Sequence, residues 1–184
     1  MDALKTLTAR ASSPRLTEPA PSRDQLTNLY RAAFRAADHA LLRPWRFLEI
    51  SGDSLHKLGE LFIEAKQQDN GPLSENELEK IRRKPLRAPL IVTTIASQKP
   101  HPKVPDFEQE FSAAAATQNM INAAFAQGIG AMWRTGSLAY HPHVRQGLGI
   151  EGHEKIVGFL YLGTPIGPAR PVNIPDVYDH VSEW

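Results

Sequence analysis

The run PLIVTTIA at 89–96 restricts the fold more than any other stretch. It is β-branched and almost continuously apolar, with no polar residue at alternate positions. A strand of that kind has to be covered on both faces. IVGFLYL at 156–162 has the same character. Between the two runs lies a long alanine-rich segment, 106–127, which reads as one helix because alanine is the best helix former and small residues allow close packing. Gly128 stands where a glycine ends a helix.

The remaining elements follow from periodicity and capping signals. Residues 2–9 read as a short helix with Leu4, Leu7 and Thr8 on one face, stopped at Ser12-Ser13-Pro14 because proline biases its predecessor away from helix. Ser22-Arg23-Asp24-Gln25 is a capping box that opens a helix to about Ala36, with Leu26, Leu29, Tyr30, Ala33 and Phe34 at helical spacing. A strand is expected over 45–50. A third helix follows, capped by Asp53 and burying Leu55, Leu58, Phe62 and Ala65. Ser74 to Glu77 is a second capping box, opening a short basic helix through Arg83. A short strand over 129–133 and a helical turn over 142–147 complete the body, and the proline-rich tail from 163 reads as irregular. Strands interleaved with helices in this way give an α+β or mixed α/β fold class. At 184 residues, one domain spanning 1–184 is expected.

Composition removes several classes of function. The chain has no cysteine, which excludes thiol catalysis, disulfide scaffolds and Cys-type zinc sites. Lys+Arg 21 against Asp+Glu 20 gives a net charge of +1, without the basic excess of a nucleic-acid binder. Apolar stretches are broken well before membrane-spanning length. MDALKTLTAR has no apolar core of a secretory signal, so a cytoplasmic location is the expectation. The P-loop, G-x-S-x-G and G-x-G-x-x-G fingerprints are all absent.

Three clusters of residues could carry chemistry. Arg10-Ala11-Ser12-Ser13-Pro14-Arg15 sets two guanidinium groups and two hydroxyls at a helix end, where they could hold a phosphate or simply be solvated. Arg35 and His39, in RAAFRAADHALLRPWRF, could face one ligand or complete a basic helix end. In GIGAMWRTG at 128–136, glycines around a strand let the backbone approach a flat ligand, and Trp133 is either core or a stacking platform. His141 and His143 could be metal ligands, but a surface turn with two exposed histidines suffices to explain them, and no metal is expected. His101 reads as exposed between prolines. Asp106, Glu108 and Glu110 complement a helix dipole without any paired-carboxylate chemistry.

Taken together and in order, these clusters resemble the FMN-dependent nitroreductase family, in particular its small bacterial NAD(P)H nitroreductases. The resemblance rests on the Arg-x-Ser of the opening segment, the Pro-Trp region at 44–45, IGAMWRTG, and IVGFLYLGTP. It implies an α+β fold with a central, mostly antiparallel sheet flanked by helices, in an intertwined homodimer with FMN at the subunit interface. Arg10 and Ser12, helped by the backbone of Ala11, would bind the phosphate and ribityl side of FMN. Arg35 and His39 would reach the flavin from the partner subunit. Met132, Trp133, Arg134 and Thr135 would line the isoalloxazine, and Asn122 and Ala126 would border the nicotinamide. The sequence departs from the family pattern at Ala11, in Ala37-Asp38-His39 and at Arg43, and Arg170 is the candidate for a C-terminal basic residue.

The implied activity is ping-pong hydride transfer from NAD(P)H through FMN to an electron-poor small-molecule acceptor, of nitroaromatic or quinone type. Flavin carries such chemistry itself, so no catalytic side chain is required. The competing readings are a non-catalytic flavin-binding module and a helix-rich interaction protein without cofactor.

Overall fold

In the computed structural model, which describes residues 2–169 and 171–184, the two apolar runs lie side by side as the central pair of one sheet. Strand β3 (Leu90–Ser97) pairs antiparallel with β5 (Glu154–Pro165), and β2 (Trp45–Ser51) flanks β3 on its other side. The far edge of β5 is shared by β4 (Gly130–Arg134) and the two-residue β1 (Leu16–Thr17). Every pairing is antiparallel.

Alternation along β3 and β5 divides the core in two. Ile91, Ile95, Phe159 and Tyr161 face α3 (Asp53–Asn70), α4 (Glu75–Arg82), α6 (Ser137–Tyr140) and α7 (Pro142–Gly147). Leu90, Val92, Leu160 and Leu162 face α2 (Arg23–Ala33) and α5 (Asp106–Ala126). Helices thus cover both faces, as the unbroken apolar run demands. Each fully buried Val, Leu or Ile in these layers contributes roughly 1.5–3 kcal/mol relative to exposure. The first helix, α1 (Ala3–Ala9), packs on α5.

Several local expectations hold. The Ser22/Gln25 box is formed: the Gln25 N–H donates to Ser22 Oγ and the Ser22 N–H to Gln25 Oε1, 2.9 Å. Ser74 N–H donates to Glu77 Oε2, 2.9 Å. Gly128 follows α5 in the left-handed region, with φ 73°.

Others need correction. Gly52, with φ 56°, occupies the N-cap of α3, and Asp53 is its first helical residue. Helix α2 ends at Ala33, and Phe34 is exposed. In α1 it is Thr6 that is buried, while Leu4 and Leu7 are exposed. Strand β5 continues to Pro165 instead of ending at 162, because Thr164 and Pro165 pair with β1. Arg170 lies outside the described residues. Among the described residues, no helix is long and apolar enough to cross a membrane.

Candidate active site at the end of strand β4

The segment after α1 is tied to β4 by one hydrogen bond: the Ser13 N–H donates to the Ala131 carbonyl, 2.9 Å. That bond brings residues 10–12 beside the strand that carries Met132, Trp133 and Arg134. Arg10 and Ala11 are half-buried and Ser12 is exposed. The Arg10 guanidinium makes no hydrogen bond or ion pair among the described residues, so its donors are available.

Trp133 and Arg134 leave β4 on opposite faces. Trp133 packs against the α2–α5 layer. Its indole Nε1–H points to the Val157 carbonyl, 3.4 Å. Val157 falls at a register shift between β3 and β5, where Thr94 opposes Gly158 but Ile95 opposes Ile156. The bulge leaves that carbonyl free of the β3 ladder. Gly158 makes room for the ring, since a Cβ there would collide with Nε1 of Trp133. Trp133 is therefore held as a half-buried core residue with one edge free.

Arg134 turns to the other face and lies over the Tyr161 ring, 5.3 Å from its centroid, within cation–π range. Its Nε is buried with no acceptor. Burial lowers the Arg134 pKa, and the nearby Arg87 lowers it further. Arg134, Thr135, Gly136 and Tyr161 line a cavity of about 270 Å³, together with Lys84 and Arg87. Gly136, with φ 109°, turns the chain from β4 into α6 at its rim. No carboxylate lines this cavity among the described residues. Lys84 is likewise shifted down, first by burial and then by Lys66 and Arg87. The Tyr161 hydroxyl is pushed up by burial against the opposing pull of Arg134 and Arg87. An orphaned buried donor among unneutralised cations is a place for a ligand that carries acceptors or negative charge.

Lys84 and Arg87 were not among the residues expected from the sequence. The signal was present in the basic run Arg82-Arg83-Lys84, just ahead of the central strand. It reads as a solvated helix end until the turn after α4 places Lys84 and Arg87 in the cavity with Arg134.

Arg35 and His39 form a separate group. Helix α5 pins their segment: Asn119 Nδ2 donates to the Ala32 carbonyl at 3.1 Å, and Ser112 Oγ to the Ala37 carbonyl at 2.7 Å. His39 Nδ1 meets Glu108 at 2.7 Å. Three non-glycine residues nearby are left-handed, Ala40 (φ 62°), Leu41 (φ 53°) and Arg43 (φ 51°). Each carries a strain of roughly 1–2 kcal/mol. The Arg43 N–H to Asp38 Oδ2 bond (2.7 Å) and the Lys99 Nζ to Leu42 carbonyl bond (2.6 Å) hold the turn. A cavity of about 760 Å³ opens here, lined by Phe34, Arg35, Asp38, Arg43, Trp45 and Phe47 among others. No hydrogen bond or ion pair joins Arg35 or His39 to residues 10–12 or 132–135. Within the chain the residues expected to contact the flavin thus fall into two groups.

Asn122 joins neither group; its Oδ1 accepts from Gln118 Nε2, 3.0 Å, within α5. Ala126 is exposed at the last residue of that helix. The two histidines of α7 differ from expectation. They are half-buried against α3, with His141 Nε2 at 3.2 Å from Asp69 and His143 Nε2 at 2.6 Å from Glu64. His141 Nδ1 also accepts the His143 N–H, 3.1 Å, and so caps α7. His101 is half-buried too, its Nδ1 accepting the Lys103 N–H at 3.2 Å. Among the described residues, no group of three His, Asp or Glu side chains could hold a metal.

The family model described as "Nitroreductase family" matches residues 7–164, which spans both groups and all of the sheet but Pro165. The chain belongs to the nitroreductase family. A protein of Escherichia coli K12 named "Putative NAD(P)H nitroreductase YdjA" is 42% identical over 181 residues, covering 96% of each chain. Among solved structures, a nitroreductase-like family protein from Bacillus cereus superposes with a TM-score of 0.83 at 21% identity, covering 100% of this chain and 96% of that one. A nitroreductase with bound FMN from Bacteroides fragilis gives a TM-score of 0.74 at 21% identity, covering 100% of both chains. The α+β nitroreductase fold expected from the resemblance is the fold observed, and membership makes the protein an oxidoreductase.

Proposed function

We propose that this nitroreductase-family chain is a single FMN-binding domain that oxidises NAD(P)H and reduces an electron-poor small molecule, of nitroaromatic or quinone type, in a ping-pong cycle. One observation carries the reading: the cavity at the end of β4 is ringed by Arg134, Lys84 and Arg87, with the Arg134 Nε buried and unpartnered. That donor set fits FMN, a flat ring rich in carbonyl acceptors with an anionic phosphate. The names of YdjA and of the FMN-bound Bacteroides relative point the same way.

FMN, when bound, supplies hydride acceptance and donation, and the chain's residues do the rest. Met132, Trp133, Arg134 and Thr135 would line the ring largely through their backbone groups. Arg10 and Ser12, with the Ala11 backbone, hold the phosphate side, where roughly 1.5–2 negative charges need matching. Arg134, Lys84 and Arg87 hold positive potential at the ring edge. Fixed cations of this kind stabilise developing negative charge most strongly where water is excluded. Asn122 and Ala126 border the nicotinamide approach.

Two copies complete the site. Arg35 and His39 lie in a separate group and reach the ring of a partner. Self-association is supported by the apolar side chains left exposed on one chain: Leu4 and Leu7 on α1, Phe107 and Phe111 on α5, and Ile174, Val177, Tyr178 and Trp184 along the tail. Where such side chains form a contiguous patch they mark an interaction site.

The test is the visible spectrum followed by anaerobic mixing. The expected protein is yellow, bleaches with NADPH or NADH, and recovers its colour when a quinone is added. A colourless protein that cannot be reconstituted with FMN refutes the reading. A yellow protein that does not bleach is a flavin-binding module without turnover.

A further inference from the structure

The cavity at Arg134 does not end at Lys84 and Arg87. The same two side chains line a second, open depression of about 660 Å³, which runs out over the end of α4 and adds Lys80 and Arg83. Lys80 lies in the last turn of α4, Arg83 caps that helix, and Lys84 and Arg87 flank the turn that follows, so that all four line the depression. Of the four, only Arg83 has a carboxylate within 4 Å among the described residues, Glu79 at 3.8 Å, too far for a hydrogen bond, while Lys80 acts on Glu77 from a longer range. Among the described residues, no carboxylate lines either cavity. The result is a continuous cationic lane from open solvent to the strand end that carries Arg134. Arg82, on the same helix, is by contrast paired with Glu60 at 2.7 Å and so stands apart from the lane.

Unneutralised cations repel one another, so such an array stabilises the fold poorly and suits a polyanion. Lys84 and Arg134 register that repulsion, since each is pushed toward its neutral form in part by Arg87. A phosphate monoester, with close to two negative charges and three acceptor oxygens, matches several guanidinium and ammonium groups at once. The proposed reaction brings two such groups to this protein: the terminal phosphate of FMN and the 2′-phosphate that distinguishes NADPH from NADH. Arg10 and Ser12, held beside β4 by the Ser13–Ala131 bond, serve the first.

We propose that the Lys80–Arg83–Lys84–Arg87 lane seats the 2′-phosphate of NADPH and makes NADPH the preferred donor. The inference rests on the FMN oxidoreductase reading and adds the choice of donor to it.

The experiment compares wild type with the Lys80→Gln/Arg83→Gln double variant, both changes lying on exposed surface. Calorimetry on the purified protein uses adenosine 2′,5′-bisphosphate as probe, with 5′-AMP as the control that lacks the 2′-phosphate. Wild type should bind the bisphosphate at least tenfold more tightly than 5′-AMP, and the double variant should lose that difference. In turnover, the ratio of kcat/KM for NADPH over NADH should exceed ten in wild type and fall at least tenfold in the variant. The charge-keeping Lys80→Arg/Arg83→Lys exchange should retain it, which a merely structural role for these positions would not require. Equal affinity for the two probes, or no preference for NADPH, overturns the proposal. So does a double variant that keeps the donor ratio but loses its yellow colour, since the lane would then serve the flavin phosphate. A protein that never binds FMN contradicts the underlying function, whereas a yellow enzyme indifferent to the donor contradicts only this inference.

Discussion

The guanidinium of Arg134 lies 5.3 Å from the centroid of the Tyr161 ring, and its buried Nε has no acceptor. The two residues are diagonal neighbours across β4 and β5, where Met132 opposes Tyr161 and Arg134 opposes Phe159. The sheet therefore fixes the direction in which Arg134 leaves its strand. In the ligand-free chain that arrangement is costly, because an unmade buried hydrogen bond costs about 1–3 kcal/mol. Arg134→Met, which keeps the aliphatic packing and removes the orphan donor, should leave the flavin-free protein as stable as wild type or up to about 1 kcal/mol more stable. The same change should weaken FMN binding at least tenfold. Urea unfolding of the flavin-free protein and flavin fluorescence titration measure the two effects. A variant that loses stability and keeps its flavin would show that Arg134 serves the fold instead.

A second prediction concerns acid. Arg46 grips the buried carboxylate of Glu154 with two hydrogen bonds of 2.6 Å, tying β2 to the start of β5. The Arg46 bonds, aided by the Glu151 N–H, hold the Glu154 carboxyl down at about 2. A carboxylate whose pKa is depressed on folding stabilises the native state above its unfolded value, near 4.5, and loses that contribution as pH falls toward 2. The contribution at neutral pH is on the order of 3 kcal/mol. Glu154→Gln should lower stability by about that amount at pH 7 and by much less at pH 3. Denaturant midpoints at the two pH values test it, and an equal loss at both would assign the effect to packing.

Gly158 offers a test of how Trp133 is placed. A methyl group at 158 meets the indole nitrogen and, behind it, the Arg134 carbonyl at 3.1 Å. Gly158→Ala should displace the indole and cost about 1–3 kcal/mol, as overpacking of a core usually does. A shift in tryptophan emission, with weakened flavin binding, is the expected signature. An unchanged spectrum and melting temperature would mean that the ring yields without consequence to the site.

Much of this architecture is legible in the sequence because local and tertiary preferences agree. The PLIVTTIA run, the two capping boxes and the alanine-rich helix ending at Gly128 each require what the fold provides. The departures share one physical origin, which is dependence on distant partners. Strand β5 reaches Pro165 only because β1 lies beside it, and β1 is too short to read from two residues. His141 and His143 are half-buried only because α3 presents Asp69 and Glu64. For the site, Arg10–Ser12 and Met132–Thr135 were visible as clusters, and the Ser13–Ala131 bond brings them together. Lys84 and Arg87 were not, because a basic helix end looks the same in sequence whether it faces water or a cavity.

The proposed division of the site between two chains admits a test that no single variant provides. Arg10→Ala and Arg35→Ala should each abolish yellow colour in the purified protein, since each removes one guanidinium from every site. If Arg35 acts across the interface, a dimer mixing the two variants has one site with both changes and one with neither. Random exchange of subunits makes about half of all dimers mixed, so about a quarter of sites regain both arginines. Unfolding and refolding the two colourless proteins together with FMN should therefore restore about a quarter of the wild-type flavin content, while each refolded alone stays colourless. If Arg10 and Arg35 instead act within one chain, every chain of the mixture still lacks one of them, and no colour returns at any ratio of the two. The readout is flavin absorbance per chain after gel filtration, which needs no turnover and no knowledge of the acceptor.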